Sequence, residues 1–278
     1  MATAHSLTAV VVKDGVASMS PVSPQAFLET APKGAYTVGR TVDYETVFEF
    51  EMHVQRMVTS ISLMDKDGKH NIQNRNWHVQ AMEKATDSTF MRNYMKKDMK
   101  QAIQHFSANS AKKVAEVQCA IKSRTNPNAK DSAWVRERKA LDDNKPDDVD
   151  EILLLSSTGE ISEGMSSNFF CMHKGELFTA DGEDVLRGTV RALVLQVCQG
   201  LGITVRYKSP NITEASDWSG CFVTSTSRLV LPIDTLTCLA EKQLGGGKVI
   251  EFGACPQVDS IRREVKAHIR ESCVQILG

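Results

Sequence analysis

The sequence predicts an α+β fold with two domains, mixed sheets and flanking helices. Its 278 residues accommodate one large domain or two modest ones. Strand-like and helical segments alternate in the first part, whereas short strands separated by turns dominate from Ile152 onward. A turn at Asn126-Pro127 separates the two parts. We therefore predict a smaller α/β domain at 1–123, a linker at 124–130 and a larger α+β domain at 131–278.

The elements of the first part follow from their residue patterns. Residues 47–64 begin with strand-like alternation and change to helical spacing at Met52. A second helix covers 86–108, and Asp87-Ser88 provides its start signal. β-Branched and aromatic content predicts three strands, at 8–15, 35–42 and 115–122.

The second part has a different pattern, with many strands and few helices. One helix covers 189–200 and ends at glycines, and an amphipathic helix covers 261–276. The apolar face of the first helix comprises Val190, Leu193, Val194, Val197 and Leu201. Strands are predicted at 151–157, 167–173, 177–180, 203–207, 220–226 and 228–233.

Composition excludes several classes of function. A net charge of −1 provides no electrostatic basis for binding nucleic acid or an anionic membrane. The seven cysteines form no CxxC pair, which argues against a zinc knuckle or a disulfide framework and fits a reducing, cytoplasmic location. No membrane-length apolar run or secretory signal is visible, and the histidines lack ligand spacing, so we expect no metal.

Lys130 is the candidate nucleophile. It follows the turn at the predicted domain junction, where partial desolvation of a lysine favours the neutral amine. The alternative is a solvated surface lysine, which is the commoner case for lysines in general.

Glu163 is the candidate acid. It ends a predicted strand, where its carboxylate suits a basic ring nitrogen, and the alternative is a surface glutamate at the end of a hairpin. The segment that follows, Gly164–Asn168, contains Ser167 and is small and polar, so a flat ligand could approach it closely.

Two polar segments suit a phosphate group. Gly188 and Thr189 open a helix whose free backbone N–H groups form an anion site, although a simple helix start has the same sequence. Ser225 and Thr226 belong to a run of hydroxyl residues that could surround phosphate oxygens or simply end a strand.

Taken together and in this order, these motifs resemble the fold-type IV pyridoxal-phosphate enzymes, the class IV aminotransferases. This family comprises branched-chain and D-amino-acid aminotransferases and aminodeoxychorismate lyase. The resemblance covers most of residues 34–240. Its most specific parts are the Glu-Gly-x-x-x-Asn-Phe-Phe strand at Glu163 and the Leu-x-Gly-x-x-Arg helix start at Leu186. It implies a D-amino-acid-aminotransferase-like architecture, pyridoxal 5'-phosphate as cofactor, and a homodimer.

The resemblance also implies residue roles. Lys130 matches the lysine that forms an aldimine with the cofactor and moves the substrate proton, and Glu163 matches the carboxylate that keeps the ring nitrogen protonated. Arg56 in His53-Val-Gln-Arg56 matches the phosphate-binding arginine, and Leu186 matches the residue that packs on the ring. Together with the polar segments, these matches give a cofactor-binding set of Arg56, Glu163, Ser167, Asn168, Leu186, Gly188, Thr189, Val190, Ser225 and Thr226.

The substrate side is less well defined by the sequence. Tyr36 matches an aromatic residue that lines this side, and loops around Arg40, Trp134 and Ser227 are expected to shape it. Arg40 or Arg138 could bind a substrate carboxylate, and the alternative for each is a surface ion pair.

Two departures from the family pattern leave alternatives open. Family members often have Ile-Thr where this chain has Thr189-Val190, and a tyrosine where it has Val135. Our first hypothesis is a class IV aminotransferase that moves an amino group between a branched-chain-like or D-amino acid and a 2-oxo acid. The second is a lyase that eliminates pyruvate, and the third is a non-catalytic relative with the same fold.

Overall fold

The structure is a computed structural model, in which two compact units are each described by themselves. It describes residues 9–13, 16–20, 22, 24–42, 46–66, 83–105, 115–121, 129–146, 148–182, 185–238, 247–271 and 273–275. Unit 1 comprises Met1–Ala111, Ala129–Glu137 and Cys273–Gly278, and unit 2 comprises Lys112–Asn128 and Arg138–Ser272. The predicted linker at 124–130 lies outside the described residues except for Ala129 and Lys130, and the predicted domain boundaries stay a prediction.

Within the part that the structure describes, unit 1 contains two small antiparallel sheets and several helices. The strands are β1 (Ala9–Lys13), β2 (Val16–Ser20), β3 (Thr41–Val42), β4 (Thr46–Phe48) and β14 (Cys273–Gln275). β1 pairs with β2, and the second sheet has the order β14-β4-β3. The helices are α1 (Pro24–Thr30), α2 (Phe50–Lys66), α3 (Ser88–His105) and α4 (Ala133–Glu137).

Helices α2 and α3 form the core of unit 1. Apolar residues at helical spacing, including Val54, Met91 and Met95, pack together and are buried. Asp87 caps α3, since its Oδ1 accepts a hydrogen bond of 2.6 Å from the Phe90 N–H. The predicted helix start at Asp87-Ser88 is therefore confirmed.

Among its described residues, unit 2 contains the larger sheet and three α-helices. Its strands are β5 (Ala115–Ile121), β6 (Glu151–Leu155), β7 (Ile161–Gly164), β8 (Asn168–His173), β9 (Glu176–Thr179), β10 (Val205–Tyr207), β11 (Trp218–Ser225), β12 (Leu229–Cys238) and β13 (Lys248–Glu251). The helices are α5 (Lys139–Asn144), α6 (Thr189–Gly200) and α7 (Pro256–Glu271). A 3-10 helix, Ile212–Asp217, precedes β11.

The large sheet has the order β10-β9-β8-β11-β12-β5-β6-β7, and β13 pairs with β12. Parallel pairs join β5 to β6, β12 to β5 and β10 to β9, whereas the other neighbours are antiparallel. Every residue of β6 is buried, as its apolar Ile-Leu-Leu-Leu run requires for a central strand. The prediction of an α+β fold with mixed sheets is confirmed.

Three details of the predicted elements are wrong. Of the predicted strand at 35–42, only Thr41–Val42 forms a strand. The segment does not pair with one neighbouring strand along its length, because the Tyr36 N–H donates to the Lys130 carbonyl whereas the Arg40 carbonyl accepts from the Phe48 N–H. Leu201 is 39% exposed, so it does not belong to the buried face of α6.

The third error concerns the C-terminal helix. It begins at Pro256, a favoured first helical position, and ends at Glu271 rather than at residue 276. Cys273–Gln275 instead pairs antiparallel with β4, which supplies the hydrogen bonds that a continued helix would have made internally. Among the described residues, no helix has the length and apolar character needed to cross a membrane.

Candidate functional site

Lys130 lies in unit 1, and its backbone is hydrogen bonded on both sides. The Lys130 N–H donates to Ser60 Oγ on α2 over 3.1 Å, and the Lys130 carbonyl accepts from the Tyr36 N–H over 3.0 Å. The Lys130 ammonium nitrogen lies 4.8 Å from the centroid of the Tyr36 ring, within cation–π range. The structure thus brings two residues of the predicted site, Lys130 and Tyr36, into contact.

His53 and Arg56 lie one turn apart on α2. His53 is fully buried, and its Nδ1 lies 2.8 Å from Thr37 Oγ1. The pKa of His53 is lowered to about 4, chiefly by burial and then by the charge of Arg56. A backbone hydrogen bond with Phe48 opposes this change, and the charge of Lys130 adds a smaller lowering effect. His53 is therefore neutral at pH 7, and Arg56, which is half-buried, is the charged member of the pair.

The other predicted residues of unit 1 have mixed environments. Trp134 and Val135 are buried on α4, so the residue in place of the family tyrosine belongs to the core of its unit. Arg40 is half-buried and directly precedes β3, and its carbonyl accepts a hydrogen bond of 2.9 Å from the Phe48 N–H.

Glu163 lies on β7 in unit 2 and is 3% exposed. Its Oε2 accepts a hydrogen bond of 3.2 Å from the Leu186 N–H, and the Leu186 carbonyl accepts one of 2.6 Å from Asn168 Nδ2. Leu186 is thereby fixed by its backbone between the two side chains. The structure brings together Glu163, Asn168 and Leu186, three of the residues that the sequence singled out.

The start of α6 has no side-chain cap and lies beside buried hydroxyl groups. Gly188 occupies the position before the helix and provides no side-chain cap. Thr189 Oγ1 lies 3.2 Å from Thr226 Oγ1, and both side chains are buried. Thr224 Oγ1 is also buried and has no hydrogen-bond partner within the described part of the chain. Backbone N–H groups at a helix start together with buried hydroxyls suit a phosphate.

The neighbouring residues of the hydroxyl run have other contacts. Ser225 Oγ lies 3.2 Å from Ser227 Oγ and accepts a hydrogen bond from the Arg228 N–H over 3.2 Å, so these two residues shape the turn after β11. Arg138, the alternative carboxylate binder, forms an ion pair with Asp142 over 3.2 Å and donates to the Met165 carbonyl.

Sequence reasoning missed Glu151, the first residue of β6. It is 1% exposed, and its Oε2 accepts hydrogen bonds of 2.8 Å from each of three side chains: Ser166, Ser167 and Arg228. This carboxylate joins the Gly164–Asn168 segment to the turn after Thr226. The sequence did contain a signal for it, because Glu151 directly precedes the apolar Ile-Leu-Leu-Leu run. Burying a glutamate in such a strand costs free energy unless its carboxylate has hydrogen-bond partners.

Comparisons with known proteins assign the family. A family model described as amino-transferase class IV matches residues 34–236. The probable branched-chain-amino-acid aminotransferase of Rickettsia felis is 28% identical over 136 residues, which are 49% of this chain and 42% of the relative. That of Rickettsia conorii is 29% identical with the same coverage. The match thus spans less than half the length of these curated relatives.

Solved structures show the same fold. The branched-chain aminotransferase from Thermoproteus uzoniensis, crystallised with norvaline, has a TM-score of 0.69 at 14% identity and covers 97% of this chain and 99% of its own. The branched-chain aminotransferase of T.th., complexed with N-(5'-phosphopyridoxyl)-L-glutamate, has a TM-score of 0.64 at 14% identity, with the same coverage. The family match covers most of the chain, and the chain therefore belongs to the class IV aminotransferases.

Proposed function

We propose that the protein is a pyridoxal-phosphate-dependent aminotransferase that moves an amino group between a branched-chain-like or D-amino acid and a 2-oxo acid. The observation that carries the proposal is the buried Glu163 carboxylate, which is tied through Leu186 and Asn168 to the segment leading into the uncapped start of α6. The names of the curated relatives support branched-chain substrates.

The residues of unit 2 fit the cofactor. An uncapped helix start with the buried hydroxyls of Thr189 and Thr226 suits its phosphate. The Thr224 hydroxyl, which has no partner among the described residues, adds a further donor. Glu163 is a carboxylate at low exposure, which suits a protonated ring nitrogen. This chain has Thr189-Val190 where family members often have Ile-Thr, so the hydroxyl lies one residue earlier. The backbone N–H groups of the helix start are the same in both cases, and the proposed phosphate contact therefore does not require a threonine at residue 190.

The chain's own residues then have distinct roles. When bound, pyridoxal phosphate supplies an electron-withdrawing ring that stabilises negative charge at the substrate α-carbon. Lys130 would hold the cofactor through its side-chain amine, and that amine would also be the base that takes the substrate α-proton and returns it. Glu163 holds a proton on the ring nitrogen, and Arg56 contributes positive charge for the phosphate. Ser167, Gly188, Val190 and Ser225 complete the proposed cofactor-binding set, and Arg40, Trp134 and Ser227 the substrate side.

The test is covalent trapping at Lys130. The purified protein is incubated with pyridoxal phosphate, reduced with borohydride, digested and mapped by mass spectrometry. We expect a pyridoxyl group on Lys130, which is absent from the Lys130→Ala variant and retained in Lys139→Ala, a control at an exposed lysine paired with Asp143. Absence of the group from Lys130 would sink the proposal and favour a non-catalytic relative.

A second assay separates the two reactions. The protein is incubated with pyridoxal phosphate, without borohydride, and is then supplied with single amino acids and 2-oxo acids. The products are measured by mass spectrometry. Formation of the matching oxo acid and amino acid supports transamination. Release of pyruvate from aminodeoxychorismate without amino transfer would instead support the lyase.

Location and assembly are part of the same proposal. The six cysteines whose side chains the structure describes are free thiols, which supports a reducing, cytoplasmic environment. We also propose a homodimer, as the family resemblance implies, and light scattering of the purified protein tests it.

A further inference from the structure

Lys130 is held by a closed path of hydrogen bonds in unit 1. Ser60 on α2 accepts from the Lys130 N–H over 3.1 Å, and the Lys130 carbonyl accepts from the Tyr36 N–H over 3.0 Å. The first bond ties the lysine backbone to α2, and the second ties it to the segment that contains Tyr36.

His53 closes this path. Its Nδ1 lies 2.8 Å from Oγ1 of Thr37, the residue after Tyr36. His53 and Ser60 are seven residues apart on α2, which is close to two full turns, so both project from the same side of the helix. Three links therefore run from α2 to Lys130, from Lys130 to Tyr36, and from Thr37 back to α2. A closed path of this kind restricts the lysine more than any one of its bonds could.

The two members of the path on α2 are buried. His53 is 0% exposed and Ser60 is 1% exposed, whereas Tyr36, Thr37 and Lys130 are half-buried. Each of the two bonds to α2 therefore has one end that is shielded from solvent. The His53 ring also interacts with the Phe48 backbone through a hydrogen bond. Its 2.8 Å contact with Thr37 Oγ1 is the one that ties α2 to the Tyr36-Thr37 segment. An apolar residue at position 53 could not supply this link.

The side chain of Lys130 also depends on this arrangement. Its ammonium nitrogen lies 4.8 Å from the centroid of the Tyr36 ring, and the Tyr36 backbone is the part of the path that bonds the lysine. A displacement of the Tyr36-Thr37 segment would therefore move both the backbone anchor and the ring against which the lysine side chain lies.

We propose that His53 and Ser60 are positioning residues for Lys130: Ser60 directly, and His53 through Thr37 and Tyr36. The inference rests on the proposed function only in the role it assigns to Lys130. It makes a prediction that can be read in cofactor-free protein, because the path consists entirely of the chain's own atoms.

The experiment compares matched variants without cofactor. Hydrogen exchange of the peptides containing Tyr36 and Lys130, and the rate of Lys130 acylation relative to Lys139, are measured by mass spectrometry. His53→Leu removes the bond to Thr37, whereas His53→Asn keeps an amide at the place of the Nδ1 atom. Ser60→Ala removes the direct anchor, and Ser62→Ala is the control, since Ser62 bonds only to the Val58 carbonyl of its own helix among the contacts described.

We expect His53→Leu and Ser60→Ala each to speed exchange at Lys130 about tenfold and acylation at least threefold. His53→Asn should restore both rates to within about twofold of the parent, and Ser62→Ala should leave them unchanged. If His53→Leu does not fold, Thr37→Val removes the same bond from the half-buried partner.

One result would overturn the proposal: unchanged Lys130 rates in folded His53→Leu or Thr37→Val protein, whether or not Ser60→Ala alters them. A loss of cofactor affinity of about tenfold in His53→Leu, rescued by His53→Asn, would extend the effect to the loaded enzyme. Failure of borohydride trapping at Lys130 in the parent protein would refute the proposed function, and the exchange rates would still report whether the path exists.

Discussion

A Cβ atom on Gly188 would lie 2.1 Å from Oδ1 of Asn168, so only glycine fits beside this side chain. Asn168 cannot easily move away, because it is 4% exposed and its Nδ2 donates a hydrogen bond of 2.6 Å to the Leu186 carbonyl. The glycine therefore serves close approach rather than a left-handed backbone, since the φ of Gly188 is −67°.

The first prediction follows from this contact. Gly188→Ala should lower the free energy of unfolding by about 1–3 kcal/mol, because either Asn168 or the start of α6 must shift. It should also weaken cofactor binding about tenfold, since Leu186 and the helix start move together. Urea denaturation and absorbance titration with pyridoxal phosphate measure the two effects.

Gly200, at the other end of the same helix, is the matched control. In the described part of the chain, no heavy atom lies within 4 Å of a Cβ built at Gly200, apart from the adjacent residues and the backbone of the same helix. Gly200→Ala should therefore be close to neutral. If Gly188→Ala is as well tolerated as Gly200→Ala, the close contact with Asn168 has no energetic importance. In the Asn168→Ala background, Gly188→Ala should lose most of its effect.

The second prediction concerns the Glu163 carboxylate. Glu163→Gln retains an oxygen that can accept from the Leu186 N–H, so folding should be preserved. A neutral amide cannot hold a proton on the ring nitrogen, and we expect kcat to fall about 10²-fold or more while cofactor affinity changes little. Steady-state kinetics and equilibrium titration separate the two quantities. A variant with parental kcat would contradict the assigned role.

The third prediction concerns Glu151. Glu151→Ala removes the shared acceptor of Ser166, Ser167 and Arg228, and we expect a loss of about 3 kcal/mol in the free energy of unfolding. Arg228 is 30% exposed and can regain water, which limits the penalty. Chemical denaturation monitored by circular dichroism tests it.

An exposed ion pair in the same unit provides the control for Glu151. Glu176 bonds to Arg206 over 2.6 Å at the surface, and its pKa is lowered by this hydrogen bond. Glu176→Ala should leave the unfolding midpoint nearly unchanged, because solvent screens exposed pairs. Equal losses for the two variants would show that the burial of Glu151 is unimportant.

The fourth prediction concerns pH. Burial lowers the pKa of His53 from 6.5 to about 4, so the folded protein binds fewer protons at this residue than the unfolded chain between these values. The free energy of unfolding therefore decreases as the pH falls from 6.5 to about 4, and the contribution of His53 is complete above pH 6.5. The shift corresponds to roughly 3 kcal/mol over this window.

Other groups titrate in the same range, so the quantity to compare is the difference between variants. His53→Asn keeps the bond to Thr37 and has no ring to protonate. Its free energy of unfolding should vary less with pH than that of the parent across this window. If the free energies of unfolding of His53→Asn and of the parent change with pH in the same way, His53 is not a neutral histidine with a lowered pKa in the folded protein.

The sequence by itself was sufficient for features that depend on local order. Helical spacing and the Asp87 cap located α3, and the glycines after Gln199 located the end of α6, because periodicity and capping involve residues within a few positions of one another. The motifs around Glu163 and Leu186 indicated the family for the same reason. The strand predicted at 35–42 was wrong because its backbone bonds to two separate partners, Lys130 for Tyr36 and Phe48 for Arg40.

Only the tertiary structure decided how the candidate site is supported. Lys130 bonds to Ser60 across 70 residues of sequence, and Arg228 bonds to Glu151 across 77. No local pattern specifies such pairs, since burial and direction are set when separate elements pack and each buried polar group must find a partner. The sequence therefore indicated which side chains to propose for the chemistry, and packing decided which other residues bond to them.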